Sequence, residues 1–119
     1  MMATISKLEE EKHVLELEWG KIQWLCGQEI DPDSEMTFGM VYINAGTENP
    51  RHYHPNCEEL IFVLSGECEH SLGEESYRLT PGSMLRIPRG VSHNAKVTSW
   101  EPCRMLIMYS APDRQTIGE

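Results

Sequence analysis

Apolar residues along this chain fall mostly at alternate positions, and glycine, proline, asparagine and aspartate divide them into short runs. Between Val14 and Leu25 the apolar positions alternate with charged ones in a strand-like rhythm that breaks at Gly20. After the turn signal Asp31-Pro32-Asp33-Ser34, residues 36–44 (MTFGMVYIN) form a run rich in β-branched, aromatic and methionine side chains. Short strands are predicted next over 51–54, 59–65, 67–72, 75–79, 83–87, 94–98 and 104–110, most of them separated by Gly66, Gly73, Pro81-Gly82 or Pro88-Arg89-Gly90. Many short, turn-punctuated strands without a long helical period predict an antiparallel all-β sandwich or barrel. Ser6 followed by Glu9 predicts a weak capping box opening a short helix over 6–12. The chain thus divides into a polar N-terminal segment (1–12), one β domain (13–112) and a polar tail (113–119) expected on the surface.

At 119 residues the chain suffices for one hydrophobic core and not for two. A formal charge of −9 disfavours nucleic acid and anionic membrane surfaces as partners. The N-terminal stretch lacks the apolar core of a secretory signal, and no run approaches the roughly 20 apolar residues that span a bilayer. Both observations predict a cytoplasmic protein. The cysteines Cys26, Cys57, Cys68 and Cys103 contain no CxxC pair and are expected to remain reduced thiols. Cys57 lies inside the segment that carries the chemistry, where an unreactive loop thiol is the expectation.

That segment holds His52, His54 and Glu59, and His93 follows later behind a Pro-x-Gly turn. Alternate residues of a strand face one way, so His52 and His54 point together. Glu59 is offset from them by an odd number, and the Pro55-Asn56 turn resets the register so that Glu59, Ile61, Val63 and Ser65 face inward. Leu60, Phe62 and Leu64 are then expected to face a second layer. Glu58 competes with Glu59 for the acidic position. Neutral imidazoles and a carboxylate suit one divalent transition metal, Fe, Mn, Ni, Cu or Zn, and four protein ligands leave open positions for a small-molecule substrate. His13 and His70 lack this context and are read as bystanders. Arg51, Arg86 and Arg89 border the segment, and Arg51 and Arg86 are the candidates for binding a substrate anion. Tyr42 and Tyr109 are candidate proton donors. The methionines Met36, Met40, Met84, Met105 and Met108, with Phe38, Phe62 and Trp24, are expected in the core or the pocket wall.

Gly46-(five)-His52-x-His54-(four)-Glu59-(six)-Gly66 resembles the first cupin motif, and Gly82-(five)-Pro88-x-Gly90-(two)-His93 resembles the second. Fifteen residues separate Gly66 from Gly82, as in small single-domain microbial cupins. One departure is Val97, where the family often has Asn four residues after the final His. Asn94 sits beside His93 instead. The resemblance implies a jelly-roll β-barrel, a homodimer, and His52, His54, Glu59 and His93 as metal ligands. The similarity to small pectin-degradation cupins implies a metal-dependent isomerase or lyase acting on a sugar acid or keto acid through an enediolate. The same ligand set also serves metal-dependent dioxygenases that use O2, and a non-catalytic metal or small-molecule binder is the third possibility.

Overall fold

A computed structural model describes residues 3–119; Met1 and Met2 of the N-terminal segment lie outside it. The chain forms eleven strands in two antiparallel sheets. The strands are β1 (Val14–Leu17), β2 (Gly20–Cys26), β3 (Thr37–Ile43), β4 (His52–Tyr53), β5 (Glu59–Ser65), β6 (Cys68–Leu72), β7 (Glu75–Leu79), β8 (Met84–Ile87), β9 (His93–Val97), β10 (Cys103–Tyr109) and β11 (Ile117–Gly118). The larger sheet has the order β1-β2-β3-β10-β5-β8, and the smaller has β11-β4-β9-β6-β7. Two facing sheets with strands that cross between them make the jelly-roll arrangement expected for a cupin barrel.

Alternation builds the core. In β3 every second residue is buried (Thr37, Gly39, Val41, Ile43), and β5 and β10 repeat the pattern. Val41, Ile43, Ile61, Val63, Met105 and Ile107 therefore face Cys68, Leu79, Ala95 and Val97 of the other sheet. Each large aliphatic side chain removed from water in this way contributes about 1.5–3 kcal/mol. Gly66 carries the chain from β5 in one sheet to β6 in the other. Its φ of +77° and a Cβ position only 2.4 Å from the Pro102 carbonyl oxygen exclude any side chain there. All four cysteines are free.

Several expectations are corrected. The N-terminal turn is a single 3-10 turn, Leu8–Glu10, with Lys7 at its N-cap and no side-chain cap, so the Ser6–Glu9 capping box does not form. Leu60, Phe62 and Leu64 alternate away from the inward set, but instead of a second layer Phe62 and Leu64 meet solvent, 40% and 36% exposed, and Leu60 is half-buried. Of the methionines assigned to the core or pocket, Met105 is buried, whereas Met36 and Met84 are exposed and Met40 and Met108 are half-buried on the outer face. Phe62, Leu64 and Met84 leave that outer face apolar and open to solvent, uncovered by any of the described elements. The tail 113–119 is mostly exposed, yet its β11 pairs with β4 and extends the smaller sheet.

Candidate metal centre

β4 and β9 lie side by side in the smaller sheet, and the Cα register puts His52 directly opposite His93. Glu59 opens β5 in the larger sheet, and His54 follows β4 across the gap between the sheets. The Pro88-Arg89-Gly90 turn anchors that crossing, since the Gly90 amide donates to the His54 carbonyl at 2.9 Å. The imidazoles of His52, His54 and His93 offer ligand atoms that all lie within 4.8 Å of one another. His54, His93 and Glu59 are buried.

The second ring nitrogens explain the aim. Nδ1 of His52 meets the Pro50 carbonyl at 2.7 Å, Nδ1 of His54 the Gln115 carbonyl at 2.9 Å, and Nδ1 of His93 the Val91 carbonyl at 2.9 Å. A carbonyl only accepts, so each Nδ1 carries its proton and each Nε2 presents a lone pair. Nε2 of His54, Nε2 of His93 and Oε1 of Glu59 are buried without a hydrogen-bond partner. The Glu59 carboxylate lies 3.3 Å from Nε2 of His54 and 3.1 Å from Nε2 of His93. Such contacts are ion pairs only if the imidazoles take up second protons. With Nδ1–H already committed they are three acceptors facing one another, which a cation satisfies together. Burial opposes charge on Glu59, and only a positive charge or proton shared with His54 and His93 holds its carboxyl low, at about 2. Burial lowers His52 to about 4. The donor set and its orphaned atoms therefore fit a divalent metal.

The cluster forms the polar end of a cavity of about 480 Å³. Its walls include Leu17, Trp19, Val41, Ile61, Met105 and Ile107, a largely apolar lining with a few convergent polar groups. Tyr109 lines it too, its ring edge-on to His54 at 5.0 Å between centroids. Burial, reinforced by the Glu59 charge, pushes the Tyr109 phenol well above its usual range, so it stays protonated.

The other candidates are placed unevenly. Tyr42 occupies an outward position of β3, between Val41 and Ile43 that face the core, beneath the ammonium of Lys21 at 5.5 Å. Its phenol does not line the cavity, and the proton-donor assignment for it is corrected on that ground. Arg86 projects outward from β8 and pairs with Glu58 at 3.0 Å, which removes both from the site. Arg51 lines the cavity, but its guanidinium is committed to Glu119 at 2.6 Å, Ser71 at 2.9 Å and the Gly73 carbonyl at 2.6 Å. Cys57 is buried outside the cavity wall, and burial, with the Glu59 charge, pushes its thiol up.

Two residues outside the candidate set line the site, and the reading of His70 as a bystander is corrected. His70 is buried, lines the cavity and stacks on His93, with centroids 5.9 Å apart and an interplanar angle of 16°. Burial lowers it to about 4. The alternation of Cys68, His70 and Leu72 along β6 was the available signal, because it puts His70 on the core-facing side. Arg114 lines the cavity from the tail, where no sequence pattern marks it.

The cupin domain family matches residues 39–109, and the chain belongs to that family. Among curated relatives, an uncharacterized protein of Streptomyces coelicolor is 31% identical over 81 residues, 68% of this chain and 75% of that protein. The polyketide synthase CurC of Streptomyces cyaneus is 31% identical over 72 residues, 60% of this chain and 47% of that one. Among solved structures, Lactobacillus farciminis oxalate decarboxylase in its formate complex superposes with a TM-score of 0.85 at 20% identity over 92% of this chain. Bacillus subtilis oxalate decarboxylase, an enzyme with Mn(II) centres, gives 0.84 at 17% identity over the same share. The chain spans about a third of the length of these decarboxylases, 34% and 30%, and at such identity the likeness concerns the fold. Among the described residues no helix is long and apolar enough to cross a membrane.

Proposed function

We propose that this chain is a metal-dependent cupin enzyme acting on a small, oxygen-rich acid by isomerase- or lyase-type chemistry, with Glu59 completing a ligand set of His52, His54 and His93. The observation that carries the reading is the convergence of three carbonyl-fixed imidazoles and a buried carboxylate at one cavity. A divalent ion bound there supplies Lewis-acid polarisation to neighbouring oxygens of the substrate. Tyr109, held protonated beside Glu59, keeps a proton at its Oη next to the cluster. His70 has Nδ1 engaged by the Ser71 carbonyl at 2.9 Å, which leaves Nε2 as an acceptor for a substrate hydroxyl. Apolar walls line the cavity around these groups. The oxalate decarboxylases that share the fold are named for a small acid, which supports this substrate class.

We place the protein in a reducing cytoplasm, which suits four unpaired cysteines. A homodimer is the proposed assembly, with a second copy on the outer face of the larger sheet.

The test is elemental analysis of protein purified without a metal-affinity tag, followed by oxygen-electrode traces with sugar acids and keto acids. Stoichiometric metal with turnover and no O2 uptake is the expected result. O2 uptake makes the protein a dioxygenase; metal with no turnover of any such acid makes it a binder. Protein free of metal that also fails to take up added Mn(II), Fe(II) or Zn(II) overturns the reading at its base.

A further inference from the structure

The largest unassigned charge in the cavity is Arg114. Its guanidinium carbon lies 4.4 Å from the ring centroid of Trp24 and 5.1 Å from that of Tyr109. Trp24 and Tyr109 are themselves packed at 6.1 Å, so two aromatic rings fix the plane of the guanidinium. Among the described residues only Nη1 has a protein acceptor, Thr116 Oγ1 at 3.0 Å, and the buried Nε has none. Among the described residues no carboxylate forms an ion pair with it. Arg51, which also lines the cavity, is the opposite case, since Nε, Nη1 and Nη2 all donate to protein acceptors. In a chain with a formal charge of −9, Arg114 is a cationic group beside the cavity without an acidic partner among the described residues.

We propose that Arg114 is the anion anchor of this cavity and binds the carboxylate of the substrate. This rests on the reading of the site given above and narrows it to a small hydroxy or keto acid. A planar guanidinium with Nε and Nη2 unused presents the side-on fork that matches a carboxylate in two parallel hydrogen bonds. The Tyr109 ring that packs against Arg114 also packs against His54, so an acid held by its carboxylate has its remaining oxygens directed towards the imidazole cluster. Arg114 and Gln115 are consecutive: one carries the free guanidinium, and the carbonyl of the other fixes Nδ1 of His54. Thr116 Oγ1 touches both, accepting from Arg114 and lying 3.3 Å from His54 Nδ1. One short piece of tail thus positions the carboxylate site and a histidine of the cluster together.

The test uses glycolate and acetate against their uncharged amides, glycolamide and acetamide, titrated calorimetrically into Zn(II)-loaded and chelator-treated protein, with tryptophan fluorescence as a second readout because Trp24 lies under the guanidinium. Expected are saturable binding of the acids and not of the amides, tighter binding of glycolate when Zn(II) is present, and a loss of roughly 10- to 100-fold in affinity on Arg114→Gln. Arg114→Lys, which keeps the charge and loses the fork, is expected between the two. Zn(II) stoichiometry and thermal midpoint, measured on each variant, establish that the cluster and the fold are intact. Equal binding of acid and amide, no saturable binding of either acid, or an Arg114→Gln variant that folds, loads Zn(II) and binds glycolate within about twofold of the parent overturns the proposal. Failure to load Zn(II) together with Arg114-dependent acetate binding in the metal-free protein would instead remove the metal reading and leave the anchor standing.

Discussion

The carbonyl oxygen of Gln115 stands 2.9 Å from Nδ1 of His54, so a residue four places from the end of the chain holds the tautomer of a histidine buried between the sheets. Partners of this kind orient metal-binding imidazoles and typically change affinity 10- to 100-fold when removed. Deleting residues 115–119 also removes β11 and the Arg51–Glu119 ion pair, but it leaves the core of β3, β5 and β10 untouched. The truncated chain is expected to unfold cooperatively while binding Zn(II) or Mn(II) about 10- to 100-fold more weakly in a competition titration with a chelating dye. An affinity equal to that of the full chain would show that the tail has no part in aiming His54.

Replacing Glu59 by Gln separates the needs of the fold from those of the ion. The metal-free site places a buried carboxylate against two imidazole lone pairs, with no donor between them. A glutamine amide supplies that donor, so chelator-treated Glu59→Gln is expected to be as stable as the parent or more so by about 1 kcal/mol. Its affinity for a divalent cation is expected to fall at least about tenfold, because an anionic ligand has become neutral. Chemical denaturation and metal titration on the same preparation give both quantities, and a parallel loss of stability and affinity would mean that Glu59 is a structural acid.

Much of this was legible because β chemistry leaves a period of two. The alternations in 36–44, 59–65 and 104–110 located β3, β5 and β10 to within a residue at either end. The HxH step and the Pro-x-Gly turn before His93 marked the residues that the fold brings together. What alternation does not reveal is which face of a sheet meets protein. Phe62, Leu64 and Met84 carry core-type side chains on the uncovered side, and only the sheet order shows it. Nor does local pattern reach across the chain. Tyr42 and Tyr109 are both tyrosines in apolar strands, yet one falls on the outer parity of β3 and the other on the inner parity of β10. Arg114 and Gln115 reach the site through contacts with Trp24 and His54, some 90 and 61 positions away, a separation that no local pattern encodes.

Acid is expected to destabilise the metal-free protein in a defined window. Burial holds His52 and His70 at about 4, against 6.5 for the free side chain. Above pH 6.5 both are neutral whether the chain is folded or not, and their contribution is complete. Between 6.5 and about 4 the unfolded chain takes up protons that the folded chain refuses, so stability falls as pH drops, on the order of 1.4 kcal/mol per pH unit for each group. Urea midpoints of chelator-treated protein at about pH 7.5 and about pH 5 measure the slope, and His70→Gln should make it shallower. A slope identical in parent and variant would show that His70 titrates normally.

The outer face of the larger sheet yields the last expectation. Phe62 pairs with Met84 in the β5–β8 register and lies opposite Leu106 of β10, while Leu60 lies opposite Met108. Phe62, Leu64 and Met84 are 40%, 36% and 58% exposed, so the apolar row is continuous and open to solvent. Beside it stand Arg86 and Glu58, one charge of each sign, which a two-fold axis can pair reciprocally between copies. A stable dimer buries about 800 Å² from each partner, an area a sheet face of this kind can provide. Light scattering is expected to give twice the monomer mass for the parent and a single mass for Phe62→Lys. The variant's thermal midpoint should stay close to that of the parent diluted to its monomer, because Phe62 is not among the residues of the inner core. A parent that remains monomeric at high concentration would leave the row without a second copy to cover it and would remove the homodimer from the proposed assembly.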